Sequence, residues 1–109
     1  MESLHKNELF KAVYKKGISK ANKYIVMYVY KNNVGYNRLG ISVSKKVGNS
    51  VMRHRLTRLI RESYRVNETL FNSSLDIVVV ARENANTIKK CNEMESALLH
   101  LAKIHGILI

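Results

Sequence analysis

The sequence predicts an α+β fold, a small central sheet with three helices packed on it. Three observations carry that prediction. Apolar residues recur at helical spacing in three segments. Three short runs are β-branched or aromatic. The 109 residues are 46% apolar, enough for one core and one domain spanning 1–109.

The first helix is expected over Glu8 to Lys16, where Leu9 and Val13, and Phe10 and Tyr14, stand four apart. Gly17 follows as a left-handed cap would. Tyr24 to Lys31 (YIVMYVYK) reads as a strand, with a possible extra short strand near Ile18–Ala21. Asn32-Asn33-Val34-Gly35 is turn chemistry, and Arg38 to Ser44 is expected as the hairpin partner beyond it. Ser50 to Asn67 reads as the second helix. Its residues Met52, Leu56, Leu59, Ile60 and Val66 share an arc of about 120°, and Asn49 or Ser50 caps the first turn. Asp76 to Ala81 (DIVVVA) is a continuous apolar run, as in a strand covered on both faces. The last helix is expected from a cap at Asn86 or Thr87 to Gly106, with Ile88, Cys91, Met94, Leu98, Leu101 and His105 on one side.

Charge narrows the partners. Nineteen Lys and Arg against eight Asp and Glu give +11, which favours a polyanion such as nucleic acid, with an anionic membrane as the competing surface. The excess lies in the first two-thirds of the chain: residues 67–109 hold four basic and five acidic groups. No stretch approaches the roughly 20 apolar residues of a membrane span, and Met1 to Leu9 lacks an apolar signal core. The expected setting is therefore cytoplasmic, with no membrane partner. A single cysteine, Cys91, excludes an internal disulfide and a multi-cysteine zinc site. Its place on the last helix fits a small core residue.

On the second helix, His54, Arg58, Arg61 and Arg65 fall within about 60° of one another, opposite the apolar arc. Arg53 and Arg55 flank them. Stacked like charges repel, and only Glu62 offsets them within the helix. Planar guanidinium groups in a row suit phosphates, which they grip bidentately. Upstream, Ser44-Lys45-Lys46-Val47-Gly48-Asn49-Ser50 carries a strand into a helix N-terminus, where free N–H groups and the helix dipole attract anions.

At these residues the chain resembles a family. The run from Gly40 to Glu62, GISVSKKVGNSVMRHRLTRLIRE, is similar to the signature of the bacterial ribonuclease P protein subunit. That signature reads SxKxxGxAVxRNxxKRxxRE or near it. NELFKAVYKKG resembles the family's first helix, YIVMYVY its central strand and DIVVVAR its later strand. His54 stands where the family usually has Asn, Thr57 where Lys is common and Ser50 where Ala is usual.

The resemblance implies an α/β sandwich like the second domain of ribosomal protein S5, with a left-handed βαβ crossover. It implies an accessory subunit of an RNA-catalysed endonuclease that removes the 5′ leader of precursor tRNA. Magnesium ions would be held mainly by the RNA, with none bound tightly by the protein alone. The protein would be monomeric, one per catalytic RNA. Lys45, Lys46, Asn49, Arg53, His54, Arg55, Arg58, Arg61 and Arg65 would face that RNA. Phe10, Tyr14, Lys16, Val26, Tyr28 and Arg38 would line a cleft for the single-stranded leader.

Two other classes are weighed against this one. A freestanding nuclease needs carboxylates clustered around two metals about 4 Å apart. The eight acids form no DxD or ExK array, and His5, His54, His100 and His105 are scattered. A binding module of another ribonucleoprotein, such as a ribosomal protein, has the same composition. Aromatic residues in the basic N-terminal part favour a single-stranded ligand over purely structured RNA.

Overall fold

A computed structural model describes residues 1–109. In chain order it contains β1 (Glu2–Ser3), α1 (Asn7–Lys16), β2 (Ile18–Ala21), β3 (Ile25–Lys31), β4 (Arg38–Ser42), α2 (Ser50–Asn67), β5 (Leu75–Ala81) and α3 (Cys91–His105). The strands form one mixed sheet in the order β1-β4-β5-β3-β2. The short strand at Ile18–Ala21 is present and pairs antiparallel with β3.

The expected hairpin is not there. β5 lies between the two candidate partners, antiparallel to β3 and parallel to β4. The turn chemistry itself is sound: Asn32 Oδ1 accepts from Val34 N at 3.0 Å, and Gly35 has φ +86°. Turn residues reverse the chain but do not choose its neighbour. The apolar run of β5 buries most fully at the centre of the sheet, so it takes that place. The segment joining β3 to β4 instead passes the start of β5, where Asn37 Oδ1 accepts from Leu75 N at 2.9 Å. β4 and β5 are parallel neighbours joined through α2, the crossover that parallel pairing requires.

Two further expectations change. Gly17 is extended (φ −76°, ψ 164°) rather than left-handed. It is needed for close approach, since a Cβ there would stand 2.5 Å from Val13 O and 2.9 Å from Val29 O. α3 begins at Cys91; Asn86 and Thr87 lie in a preceding 3₁₀ turn, Glu83–Thr87. Glu93 Oε1 accepts from Lys90 N at 3.1 Å and closes the first turn of α3 instead. Gly106 does end the helix in the left-handed region, with φ 71°.

The sheet has two unequal faces. On one, Ile25, Met27, Leu39, Ile77 and Val79 meet Leu56, Ile60 and Tyr64 of α2 and Met94, Leu98 and Leu101 of α3 in a core of 20 buried residues. On the other, only α1 covers the sheet, and the buried apolar side chains are Leu4, Val13 and Val78 alone. Val66, expected with the apolar arc of α2, is exposed beyond the end of the core.

A candidate nucleic-acid interface

α2 is anchored at its start by Asn49, whose Oδ1 accepts from Met52 N at 2.9 Å; Ser50 makes no such bond. Lys45 and Lys46 are exposed in the turn before it, on either side of which Val43 and the buried Val47 hold the backbone. His54, Arg58, Arg61 and Arg65 are all exposed, as the helical wheel requires.

The arginines are not equivalent. Arg65 grips Glu62 with Nε at 3.0 Å and Nη2 at 2.6 Å, and that contact raises its pKa. Arg55 is half-buried and donates from Nη2 to Ile88 O at 2.8 Å, tying α2 to the segment before α3. Arg53 is half-buried with an unpartnered Nε. The chain's two ion pairs are Arg65–Glu62 and Arg38–Asp76, so Arg58 and Arg61 have none. These two border a hollow of about 550 Å³ with Arg55, Leu59, Glu62 and Cys91. Cys91 is thus at the margin of the core rather than inside it, 3.7 Å from Ser63 Oγ.

On the α1 face, alternation along β3 puts Val26 and Tyr28 on one side with α1. Phe10 and Tyr14 lie with ring centroids 6.2 Å apart, and Tyr14 meets Tyr28 edge-on at 4.9 Å. Gly40 makes room for Phe10: a Cβ there would stand 2.6 Å from Phe10 Cζ. Beside these rings runs the register row Ser42–Val80–Val26–Ala21, none of it fully buried. The result is an open stretch of sheet with aromatic rings along one side and small, mostly aliphatic residues beside them.

The structure does not gather all six groove residues. Arg38 lies on the same face but pairs with Asp76 of β5, four residues along from Val80. Its Nε and Nη2 donate to the two carboxylate oxygens, each at 2.8 Å. Lys16 is exposed at the end of α1, where it borders a different hollow with Lys31 and His105. Three groove residues escaped the sequence reading: Ser42, Val80 and Arg82. The period of two, Val78, Val80, Arg82, was the available signal. Arg82 and Lys46 border a hollow of about 400 Å³ with Ser44, Glu83, Asn84 and the sealed-core residues Val47 and Ala81, while Arg82 Nη1 donates to Asn22 O at 2.8 Å, beside Ala21.

No three His, Cys, Asp or Glu side chains come together in a way that could hold a metal ion. No helix is long and apolar enough to cross a membrane.

A mixed five-stranded sheet, three helices and an exposed helix face on which Arg58 and Arg61 have no ion pair define a small, strongly basic α+β protein. The chain belongs to the ribonuclease P protein family, whose model, described as Ribonuclease P, matches residues 1–105. The ribonuclease P protein component of Lachnoclostridium phytofermentans is 62% identical over 107 residues, covering 98% of this chain and 91% of that protein. That of Alkaliphilus metalliredigens is 53% identical over 100 residues, covering 92% and 89%. The ribonuclease P protein structure from Staphylococcus aureus superposes with a TM-score of 0.89 at 38% identity, covering 100% of this chain and 99% of that one. The Thermotoga maritima protein gives 0.84 at 33% identity, with 93% and 94% covered.

Proposed function

We propose that this chain is the accessory protein of a ribonuclease P whose catalyst and magnesium ions reside in the RNA. α2 docks on the catalytic RNA, and the groove beside α1 holds the single-stranded 5′ leader of precursor tRNA. One observation supports this above the others: an unpaired arginine surface and an open aromatic groove sit on different faces of one small fold. The first suits the phosphates of a structured RNA. The second suits unpaired bases, each stacking for about 1–3 kcal/mol with little regard to sequence. An enzyme that serves many precursor tRNAs needs that tolerance.

Arg58 and Arg61 are the free cations of the docking face, with Lys45, Lys46 and His54 around them. Asn49 and Arg55 set the helix in place, and with Arg53 add the groups they do not spend internally. Arg65 joins the RNA where it is released from Glu62. In the groove, Phe10, Tyr14, Val26 and Tyr28 contact leader bases. Arg38 and Lys16 stand at its periphery as phosphate partners. Because stacking exists only while the leader is attached, the protein favours precursor over mature tRNA.

The test separates the two surfaces. Arg58→Ala with Arg61→Ala weakens binding to the catalytic RNA by about 1–3 kcal/mol per lost charge-assisted contact, and flattens its salt dependence. Tyr28→Ala lowers the preference for precursor over mature tRNA several-fold and leaves RNA docking intact. Full discrimination by a folded Tyr28→Ala protein places the leader elsewhere.

A further inference from the structure

The hollow between α2 and the start of α3 holds about 550 Å³, within the roughly 300–1,000 Å³ of small-molecule sites. Its apolar lining is Leu59, which packs against the sealed core, and Cys91, the first residue of α3, stands with it. Its rim is cationic, formed by Arg55, Arg58 and Arg61. Glu62 is the one acid there, and Arg65 holds both its oxygens, at 3.0 and 2.6 Å. Arg55 is fixed in place. Its Nη2 donates to Ile88 O at 2.8 Å and lies 3.3 Å from Met52 Sδ, and every hydrogen bond it makes within the chain comes from that nitrogen.

Phosphates alone do not call for this shape. A convex row of arginines meets the backbone of an RNA duplex from outside, and a duplex keeps its bases stacked away from a hollow with an aliphatic lining. An unstacked base suits it. Such a base has an apolar face for Leu59 and Cys91 and a phosphate that stays at the rim with Arg58 or Arg61. Its polar edge meets the remaining N–H groups of Arg55. A guanine edge fits best, since O6 and N7 accept from a guanidinium fork. The bond to Ile88 O orders Arg55 before the ligand arrives, which lowers the entropy lost on binding.

We infer that this hollow receives one unstacked nucleotide of the catalytic RNA, so that α2 docks through a seated base as well as through phosphates. The inference rests on the docking reading of α2 given above. Arg58 and Arg61 carry the salt dependence, and the base adds affinity that salt does little to change.

The thiol of Cys91 reports on the hollow directly. In the protein assembled with its catalytic RNA, alkylation by iodoacetamide should be slower than in the free protein by about tenfold, within the range for one stacked base. In the RNA-free protein, guanosine 5′-monophosphate should slow the reaction more than ribose 5-phosphate at the same concentration and ionic strength. Cys91→Phe fills the hollow from the α3 side. It should lower affinity for the catalytic RNA about tenfold and leave the slope of log affinity against log salt unchanged. If that variant does not fold, the alkylation rates of the parent protein decide. Equal rates with and without RNA, equal effects of the two phosphate esters, or full affinity in a folded Cys91→Phe protein each overturn the seated base. The docking reading is judged separately: Arg58→Ala with Arg61→Ala leaving both affinity and slope unchanged would turn α2 away from the RNA altogether.

Discussion

The two faces of the sheet are built to different standards. One is sealed by α2 and α3 over 20 buried residues; the other carries α1 alone over three. The sealed face supplies the stability that lets the other remain open. Even the aromatic residues divide this way. Tyr64 and Phe71 stack at 5.0 Å inside the sealed core, whereas Tyr14 is 40% exposed against Tyr28. Residue type does not separate a core ring from a binding ring; the face it stands on does.

The largest expected effect follows from the sealed face. Leu56 is fully buried between α2, the sheet and α3. Leu56→Ala should cost about 2–5 kcal/mol in unfolding free energy, the usual range for a leucine cavity. Chemical denaturation of the free protein measures it. A loss below about 1 kcal/mol would mean the two faces are not so different in packing.

A smaller effect is expected on the open face. In Gly40→Ala the new methyl meets the tip of the Phe10 ring, with Leu4 Cβ 3.3 Å away. Phe10 is only half-buried, so it swings aside, and the cost falls at the low end of the roughly 1–3 kcal/mol of overpacking. The functional consequence is larger than the structural one: precursor preference drops while affinity for the catalytic RNA holds. Loss of both together would show that the groove and the arginine face are coupled.

Most local features were legible in the sequence, the caps at Gly17 and at Asn86 or Thr87 being exceptions, and non-local ones were not. The length of α2, its Asn49 cap, the left-handed Gly106 and the exposed arginine stripe all follow from periodicity and side-chain chemistry within a few residues. Strand order does not. The insertion of β5 between β3 and β4 brings together residues 44 apart, such as Asn32 and Asp76, and no turn signal encodes that. The two-residue β1 is too short for any pattern. The site divides along the same line. That Arg58 and Arg61 are exposed was readable from the wheel. That Arg55 is spent on Ile88 O and Arg38 on Asp76 depends on partners 33 and 38 residues away.

The smallest predicted effect concerns a titratable seam on the sealed side. His105, in the last turn of α3, approaches Met27 O with Nε2 at 2.9 Å and so ties α3 to β3. Burial pushes its pKa below the ordinary value; the hydrogen bond to Met27 O opposes this, and Lys20 adds to the lowering. Lys16 and Lys31 border the same hollow and favour the neutral ring as well. With the folded pKa below the unfolded value of about 6.5, the unfolded chain takes up the proton first. This contribution to stability is therefore complete above the unfolded pKa and is lost as pH falls toward the folded one. His105→Gln keeps a donor for Met27 O but cannot titrate. Comparing denaturation midpoints at about pH 7 and about pH 5, within the range where histidine titrates, cancels the remaining histidines and the net charge common to both proteins. The parent should lose more stability on acidification than His105→Gln. Equal losses would mean that the ring is as free in the folded protein as in the unfolded chain, and that the sealed face frays at the end of α3.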